Sequence, residues 1–562
     1  MATTCQKQPL FHSSEIIEKI INQPVKDSSP QIFITEKEYL ELKWSAGYWR
    51  GLHQKALLRE KEYKQTIKEQ EGKIRDLTKR VFGKKSEKKG SRKEEVEKKT
   101  SDSKRPRGQQ SGSKGHGRTK RPDLPRKEEP VHFSEIPKCT ECGTGYICDG
   151  SADETEIIEV EVKAHTRIII RSRMKKGCSC PGVPNTVTAP MPAKVIPKSP
   201  YGISIWEAVL LNKFHYSQPT NRLLNQYAEQ GLPISAGSIT GGLKKLSTLF
   251  QPVYDAFHRQ QMTEDRFHND ESSWKVFENV DGKIGNRWWL WVSRSASVVF
   301  FQIAQGRGAD VPVDHFKDIE QEKIIVICDR YSAYKSMARQ LPFIILAFCW
   351  AHVRRDFLDA ARKYPELEEW SLCWVEKIGT LYHINKQRCK EFDQKLPVQW
   401  QSASFKKEHE KLSQIMAAMV QERDAFVETY PTDDPVFDLL SDVKCKILTS
   451  LQNHWEGLTV FVDHPEVPMD NNKGERSIRN PVTGRKNFYG SGSLWSSQLA
   501  AMMFSVFQTM VLCGLNNHHW LRSYLTACAE NHGKAPEDLS PFLPWEMTEE
   551  RRRQLVKPLN TS

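Results

Sequence analysis

The chain has 562 residues, enough for several domains, with 83 Lys and Arg against 70 Asp and Glu and a formal net charge of +13. That balance favours a polyanionic partner, nucleic acid being the commonest. A mean hydropathy of -0.61 and the lack of any apolar run of about 18 residues exclude a chain built on membrane-spanning helices.

Met1 to Leu10 has no charged stretch followed by an apolar core. The 13 cysteines are scattered except in one region, so reduced thiols are expected, with room for a metal site, rather than a disulfide framework. The corresponding expected location is cytoplasmic.

The first 30 residues are polar and form a flexible tail. Phe33 to Val81 reads as one long helix in which Leu42, Trp49, Ala56 and Tyr63 recur every seventh residue. Ile67, Ile74 and Val81 continue the repeat on the neighbouring seam position, and Leu77 fills the slot between. A sustained 3.5-residue period asks for a partner along the seam, so residues 31–83 are expected to form a coiled coil and a homo-oligomer. A single amphipathic helix folded onto its own chain is the alternative.

Between Lys84 and Pro130 stand 17 basic and 8 acidic residues, which places +9 of the chain's +13 in this stretch. With almost no apolar residues it cannot offset its ordering entropy, and a disordered basic linker that touches phosphates non-specifically is expected.

Residues 131–190 hold the cysteine cluster. Cys139 and Cys142 form a CxxC, and Cys178 and Cys180 form a CxC after a strand-like stretch, Glu156 to Arg173. Two thiol pairs joined by a hairpin suit a tetrahedral structural Zn²⁺, and a module this small benefits from a metal staple. Cys148 is a spare that could replace one ligand.

Residues 197–260 read as helical, with a break at Gly231 to Pro233 and Ser235 or Ser238 as the next cap. A helix-turn-helix reader of DNA and plain helix packing both fit this segment.

The chemistry is concentrated in 262–497. Strands are expected at Arg266 to Phe277, Arg287 to Val292, Ser297 to Ile303, Lys323 to Cys328 and Phe343 to Phe348, with a helix at Ser332 to Gln340. The fourth strand is a continuous apolar run that ends directly at Asp329, as a buried central strand would. Three strands, an Asp-tipped strand, a helix and a further strand is the order of ribonuclease-H-like domains, in which the first and fourth strands are neighbours.

Asp270 and Asp329 would then meet, and two such carboxylates call for a hard divalent cation between them. Strand alternation turns Glu271 to the opposite face. The third acid is Glu475, in a helix that begins near Asn471 or Asn472 and places Arg479 one turn on; Asp470 is its rival. Residues 356–455 read as a helical insertion. Just before it, Cys349 and His352 form a CxxH that could bind metal but lacks a second pair; with Arg354 and Arg355 it is read as a strand end near the site. The C-terminal segment, 498–562, is expected to be helical.

Several stretches, in this order, resemble the insertion-sequence-66 family of transposases. They are LTKRVFGKKSEK (Leu77–Lys88), RGQQSGSKGHGR (Arg107–Arg118), the cysteine module, HNDESSW (His268–Trp274), DRYSAY (Asp329–Tyr334), CWAHVRRDF (Cys349–Phe357), DNNKGERSIRNPVTGRKNF (Asp470–Phe488) and LSPFLPW (Leu539–Trp545). The resemblance implies a DDE recombinase with Asp270, Asp329 and Glu475 as the triad. It implies Mg²⁺ or Mn²⁺ as cofactor, the element's terminal inverted repeats and target DNA as partners, and small accessory proteins from the same element. NDESSW departs from the family's commoner ADET while keeping the Asp, and the CxC departs from the commoner CxxC.

The expected architecture is thus multidomain α/β: a coiled coil, a basic linker, a zinc module and a helical segment leading into a ribonuclease-H-like domain with a helical insertion. Arg354, Arg355, Arg479, Arg485 and Lys486 are the expected DNA-phosphate contacts. The expected chemistry is two-metal cleavage and joining of DNA strands without a covalent protein intermediate.

Overall fold

The computed structural model describes residues 34–82, 128, 130, 135–138, 140–145, 147, 164–177, 182, 184–429 and 439–556. The chain divides into two compact units, one containing the long N-terminal helix together with residues 362–365 and the other the remainder. The basic linker lies outside the described residues, apart from 128 and 130.

In the first unit, α1 (Glu36–Phe82) is one unbroken helix of 47 residues, about 70 Å long at 1.5 Å per residue. A reciprocal cap starts it: the Glu38 N–H donates to Thr35 Oγ1 at 3.3 Å, and the Thr35 N–H donates to Glu38 Oε2 at 2.8 Å. The seam residues Leu42, Trp49, Tyr63, Ile67 and Ile74 are all exposed.

In the second unit, β1 (Arg173–Lys175) and β2 (Thr186–Thr188) make a short antiparallel ladder. Of the strand expected over Glu156 to Arg173, residues 164–172 have no regular structure and Arg173 opens β1, while 156–163 lie outside the described residues. Ile168 and Ile170 are exposed there, and alternation alone makes no strand without a partner to accept its hydrogen bonds.

Helices follow: α2 (Ile203–Leu210), which runs into a π turn at Leu211–His215, then α3 (Thr220–Glu229) and α4 (Ala236–Met262). The second break is the expected one, and Ser235 caps α4 by accepting the Ser238 N–H at 3.2 Å. The first break, at 216–219, was not expected.

The central sheet comprises β3 (Arg266–Lys275), β4 (Arg287–Arg294), β5 (Val299–Ala304), β6 (Ile324–Cys328) and β7 (Ile344–Phe348), in the spatial order β5-β4-β3-β6-β7. The first three strands pair antiparallel, while β6 runs parallel to both β3 and β7. The first and fourth strands therefore do lie side by side. Every residue of β6 is buried, as a strand covered on both faces requires.

Two large hydrophobic clusters cover the sheet, and a small third one joins Ile325, Ile327 and Ala347 to Val467. Leu290 and Val292 join one with α2, α4 and the C-terminal helices α13 (Leu494–Leu512) and α14 (Asn517–Glu530). Trp291, Val326 and Cys328 join the other. That side includes α6 (Ser332–Gln340), which follows the short α5 (Asp310–Phe316), and the helices α7 (Trp350–Lys363), α8 (Glu368–Lys390), α9 (Ala403–Thr429), α10 (Leu439–Asn453) and α11 (Trp455–Asp463).

The outer edge of β5 is closed by side chains. Ser505 Oγ accepts the Phe301 N–H at 2.8 Å and Thr509 Oγ1 accepts the Val299 N–H at 3.0 Å. One turn of α13 thus matches the spacing of the strand's outward N–H groups and leaves no free edge there. The last helices are α12 (Asn472–Phe488), which precedes α13, and α15 (Glu549–Leu555). No helix of the described residues is long and apolar enough to cross a membrane.

Candidate active site

His268 of β3 stands opposite Ile327 of β6. Two residues further along each chain come Asp270 and Asp329. Asp270 Oδ1 accepts the Glu271 N–H at 2.8 Å. Asp329, just past the end of β6, accepts the Tyr331 N–H at 3.0 Å and so shapes the turn into α6.

Glu475 comes from the first turn of α12, and the sequence around it fixes that helix on β3 at three points. At the start, the Trp350 N–H donates to Met469 O at 2.9 Å and the Asn471 N–H to Cys349 Sγ at 3.2 Å. Asn471 occupies the cap position, yet its side chain makes no cap bond. Its Nδ2 instead donates to Asn269 O at 2.6 Å and its Oδ1 lies 3.1 Å from His268 Nδ1. Asp470 supports the helix start, accepting the Asn472 N–H at 3.1 Å.

In the middle, Arg485 Nη1 donates to Ser272 Oγ at 3.0 Å and Ser273 Oγ at 2.8 Å. At the end, Ser491 N–H donates to Lys275 O at 2.8 Å, an approach that only Gly490 permits. Its φ is 147°, and a Cβ there would stand 2.2 Å from Lys275 O.

Asp270 lies within electrostatic reach of both Glu475 and Asp329. Burial pushes the Asp270 carboxyl up to about 7, the charge of Glu271 adds to this, the Glu271 N–H opposes it, and Glu475 and Asp329 raise it further. Glu475 Oε1 is buried with no hydrogen-bond partner among the described residues. Asp329 is flanked by Arg330, whose guanidinium is already engaged by Asp356 and by Ser450 Oγ at 3.1 Å.

Glu271 behaves differently. Its side chain points to the other face, where Arg307 Nη2 and Nε donate to Oε1 at 2.6 and 3.0 Å and the Tyr334 hydroxyl donates to Oε2 at 2.6 Å. The Arg307 guanidinium is itself held over the rings of Tyr331, at 3.8 Å, and Trp289, at 4.7 Å.

Residues 198–499, more than half of the chain and including all three acids, match the family model described as "Transposase IS66 family". The chain belongs to this family. Proteins of Sinorhizobium fredii (strain NBRC 101917 / NGR234) are similar to it. "Uncharacterized protein y4hP" is 23% identical over 434 residues, 73% of each chain. "Uncharacterized protein y4qI" is 24% identical over 449 residues, 76% of this chain and 78% of its own. No solved structure matches.

Within this IS66-family chain, the expected phosphate contacts fall in different settings. Arg355, Arg479 and Lys486 are exposed, Arg354 is half-buried, and Arg485 is half-buried and tied to β3. Of the expected zinc ligands only Cys142, which is exposed, lies among the described residues; Cys139, Cys178 and Cys180 lie outside them.

Sequence reasoning missed three participants. Arg307 carries no local motif, because its partners Glu271, Trp289 and Tyr331 are distant in sequence. Asn471 looked like a helix cap and is a clasp. His352 was placed near the site but not against Glu475, from whose Oε1 its Nε2 is 3.8 Å away.

Proposed function

We propose that this chain is a DNA transposase of the DDE type. It would cleave the 3′ ends of its element at terminal inverted repeats and join them to target DNA. The observation that carries this reading is the electrostatic coupling of Asp270 to Asp329 and Glu475, three acids delivered by β3, the end of β6 and α12. The sheet order with its parallel β3–β6 pair supports a ribonuclease-H-like domain, a fold reading made from topology.

The donor set fits hard divalent ions such as Mg²⁺ or Mn²⁺. It offers carboxylate oxygens only, one carboxyl is pushed up by burial and then by its acidic neighbours, and one buried oxygen lacks a partner among the described residues. Asp270, Asp329 and Glu475 would hold them. When bound, such ions activate an attacking hydroxyl and stabilise the leaving oxygen of an in-line displacement at phosphorus.

The residues of the chain supply the rest. The α12 clasp holds Glu475 against β3, so the ligand geometry is set before DNA arrives. Arg479, Lys486 and Arg355 present cations for backbone phosphates, and Arg354 and Arg485 line the same two helices. The exposed seam of α1 would pair with a second copy, which suits an enzyme that must hold two DNA ends. A structural Zn²⁺ on Cys139, Cys142, Cys178 and Cys180, accessory proteins and a nucleoid location complete the proposal.

The test is cleavage and joining of labelled DNA carrying the element's end, with Mg²⁺ or Mn²⁺. Asp270→Asn, Asp329→Asn and Glu475→Gln are each expected to lower both steps by on the order of a thousandfold or more, since metal assistance supplies several kcal/mol of transition-state stabilisation. Binding without cleavage in the wild type would instead indicate a DNA-binding regulator. Cleavage that never yields a joined product would indicate a nuclease.

A further inference from the structure

Glu475 also faces two groups of a different chemistry. Cys349 directly follows β7, and His352 lies in the first turn of α7. One ligand atom from each of Cys349, His352 and Glu475 lies within 4.8 Å of the other two. Cys349 is fully buried, and His352 and Glu475 are partly so.

Cys349 Sγ accepts the Asn471 N–H at 3.2 Å, and the N–H groups of His352 and Ala351 add to this. Burial outweighs these donors and pushes the thiol up, so an ion bound there would have to displace its proton. Burial, with Arg355 beside it, favours the neutral imidazole of His352, the form that binds metal.

His352 Nδ1 and Glu475 Oε1 are buried with no hydrogen-bond partner among the described residues. At 3.8 Å the His352–Glu475 pair is too long to be a hydrogen bond. An unsatisfied buried group of this kind costs about 1–3 kcal/mol, and an ion between Glu475 and the imidazole would relieve that of Glu475 Oε1.

A thiolate, an imidazole and a carboxylate are not a magnesium set. Mg²⁺ takes oxygen ligands, whereas Zn²⁺ takes all three donor types in tetrahedral sites that can leave one position to solvent. We propose that Cys349, His352 and Glu475 form a zinc site, and that zinc bound there draws Glu475 away from Asp270 and Asp329. The site itself stands on these three residues; its inhibitory consequence rests on the proposed function.

The experiment uses the full chain, stripped with chelator, reloaded with zinc, desalted and analysed for zinc per chain. Any zinc on the cysteine module contributes equally to every variant, so differences report this site. Wild type and Asp270→Asn are expected to carry one more zinc per chain than Cys349→Ser or His352→Gln. In the cobalt-substituted protein, the thiolate-to-metal absorption is expected to fall in Cys349→Ser. His352→Gln keeps the buried thiol and guards against a Cys349 variant that fails to fold.

Equal zinc counts in wild type and His352→Gln overturn the site. In the Mn²⁺-dependent cleavage assay, zinc should inhibit the wild type at concentrations at least about tenfold below those needed for His352→Gln, because loss of a ligand costs at least what loss of its outer support does. The two proposals fail separately. Cleavage with an unchanged zinc count defeats the zinc site alone, and a zinc difference in a chain that never cleaves defeats the transposase reading alone.

Discussion

Asp270 and Glu271 are adjacent in the chain, lie on the same strand, and point to opposite faces of it. Glu271, with its side chain only 2% exposed, has a guanidinium and a phenol to itself. Asp270 has one backbone N–H and the company of other acids. A buried acid with its own cation is a strut: burial pushes the Glu271 carboxyl up, while Tyr334 and Arg307 pull it back. A buried acid among other acids is destabilised until something positive arrives, and the proposed metal-ligand role of Asp270 rests on that contrast.

The contrast is sharpest when the missing charge is supplied. Mn²⁺ at about one hundred times its dissociation constant is expected to stabilise the wild type by about 2.7 kcal/mol, seen as a rise in Tm that grows with ion concentration. Glu271→Gln should keep that rise and Asp270→Asn should lose most of it. An equal rise in both variants would mean that the ion sits elsewhere and that the contrast between the two acids has no functional meaning.

The strut can be broken without touching the candidate centre. Glu271→Gln leaves Arg307 without its carboxylate and Tyr334 with a weaker acceptor. Because Arg307 is partly exposed and can rehydrate, the expected loss is about 2 kcal/mol, below that for a fully buried pair. Denaturant unfolding measures it directly. Strand cleavage by this variant, assayed well below its Tm, should stay within about tenfold of wild type, a difference of about 1.4 kcal/mol in barrier. A thousandfold loss of cleavage with unchanged stability would put Glu271 among the metal ligands.

How much of this was legible in advance follows from the range of the interactions. The strands that carry Asp270 and Asp329 show in the sequence because their signals are local: apolar runs, alternation and the turn residues between them. The opposite orientation of Glu271 follows from the two-residue period of any strand. Asn471 carried the right local signal and the wrong conclusion, because a side chain that can cap a helix can also reach a strand some 200 positions away, and the fold supplied the stronger partners at His268 and Asn269. The pairing of Ser505 and Thr509 with β5 was illegible for the same reason, since hydroxyls on an apolar helix carry no sign of which N–H groups they will meet. In 164–171 the alternation was present, and no partner strand stands among the described residues.

The smallest expected effect probes Asp270 without any ion. Its carboxyl is pushed up to about 7 in the folded chain, against an ordinary value of 3.8. The folded protein therefore holds a proton that the unfolded chain has released between those two values, and stability falls as the pH rises from about 4 to about 7. Above that, the native carboxylate is ionised among other acids and the full penalty applies. Asp270→Asn removes the charge and keeps an acceptor for the Glu271 N–H. In chelator it should be more stable than the wild type by about 1 kcal/mol at pH 8, a modest figure because the site admits solvent, and the gain should vanish toward pH 4. Burial pushes the Glu271 carboxyl up as well, with Tyr334 and Arg307 opposing. Glu271→Gln under the same conditions should still be less stable than the wild type at pH 8, because an amide has one acceptor oxygen where Arg307 and Tyr334 each use one of their own. Opposite signs for neighbouring substitutions at one pH would separate strut from ligand by thermodynamics alone; the same sign for both would mean that the crowding of acids around Asp270 is relieved by the protein itself and leaves nothing for a metal to balance.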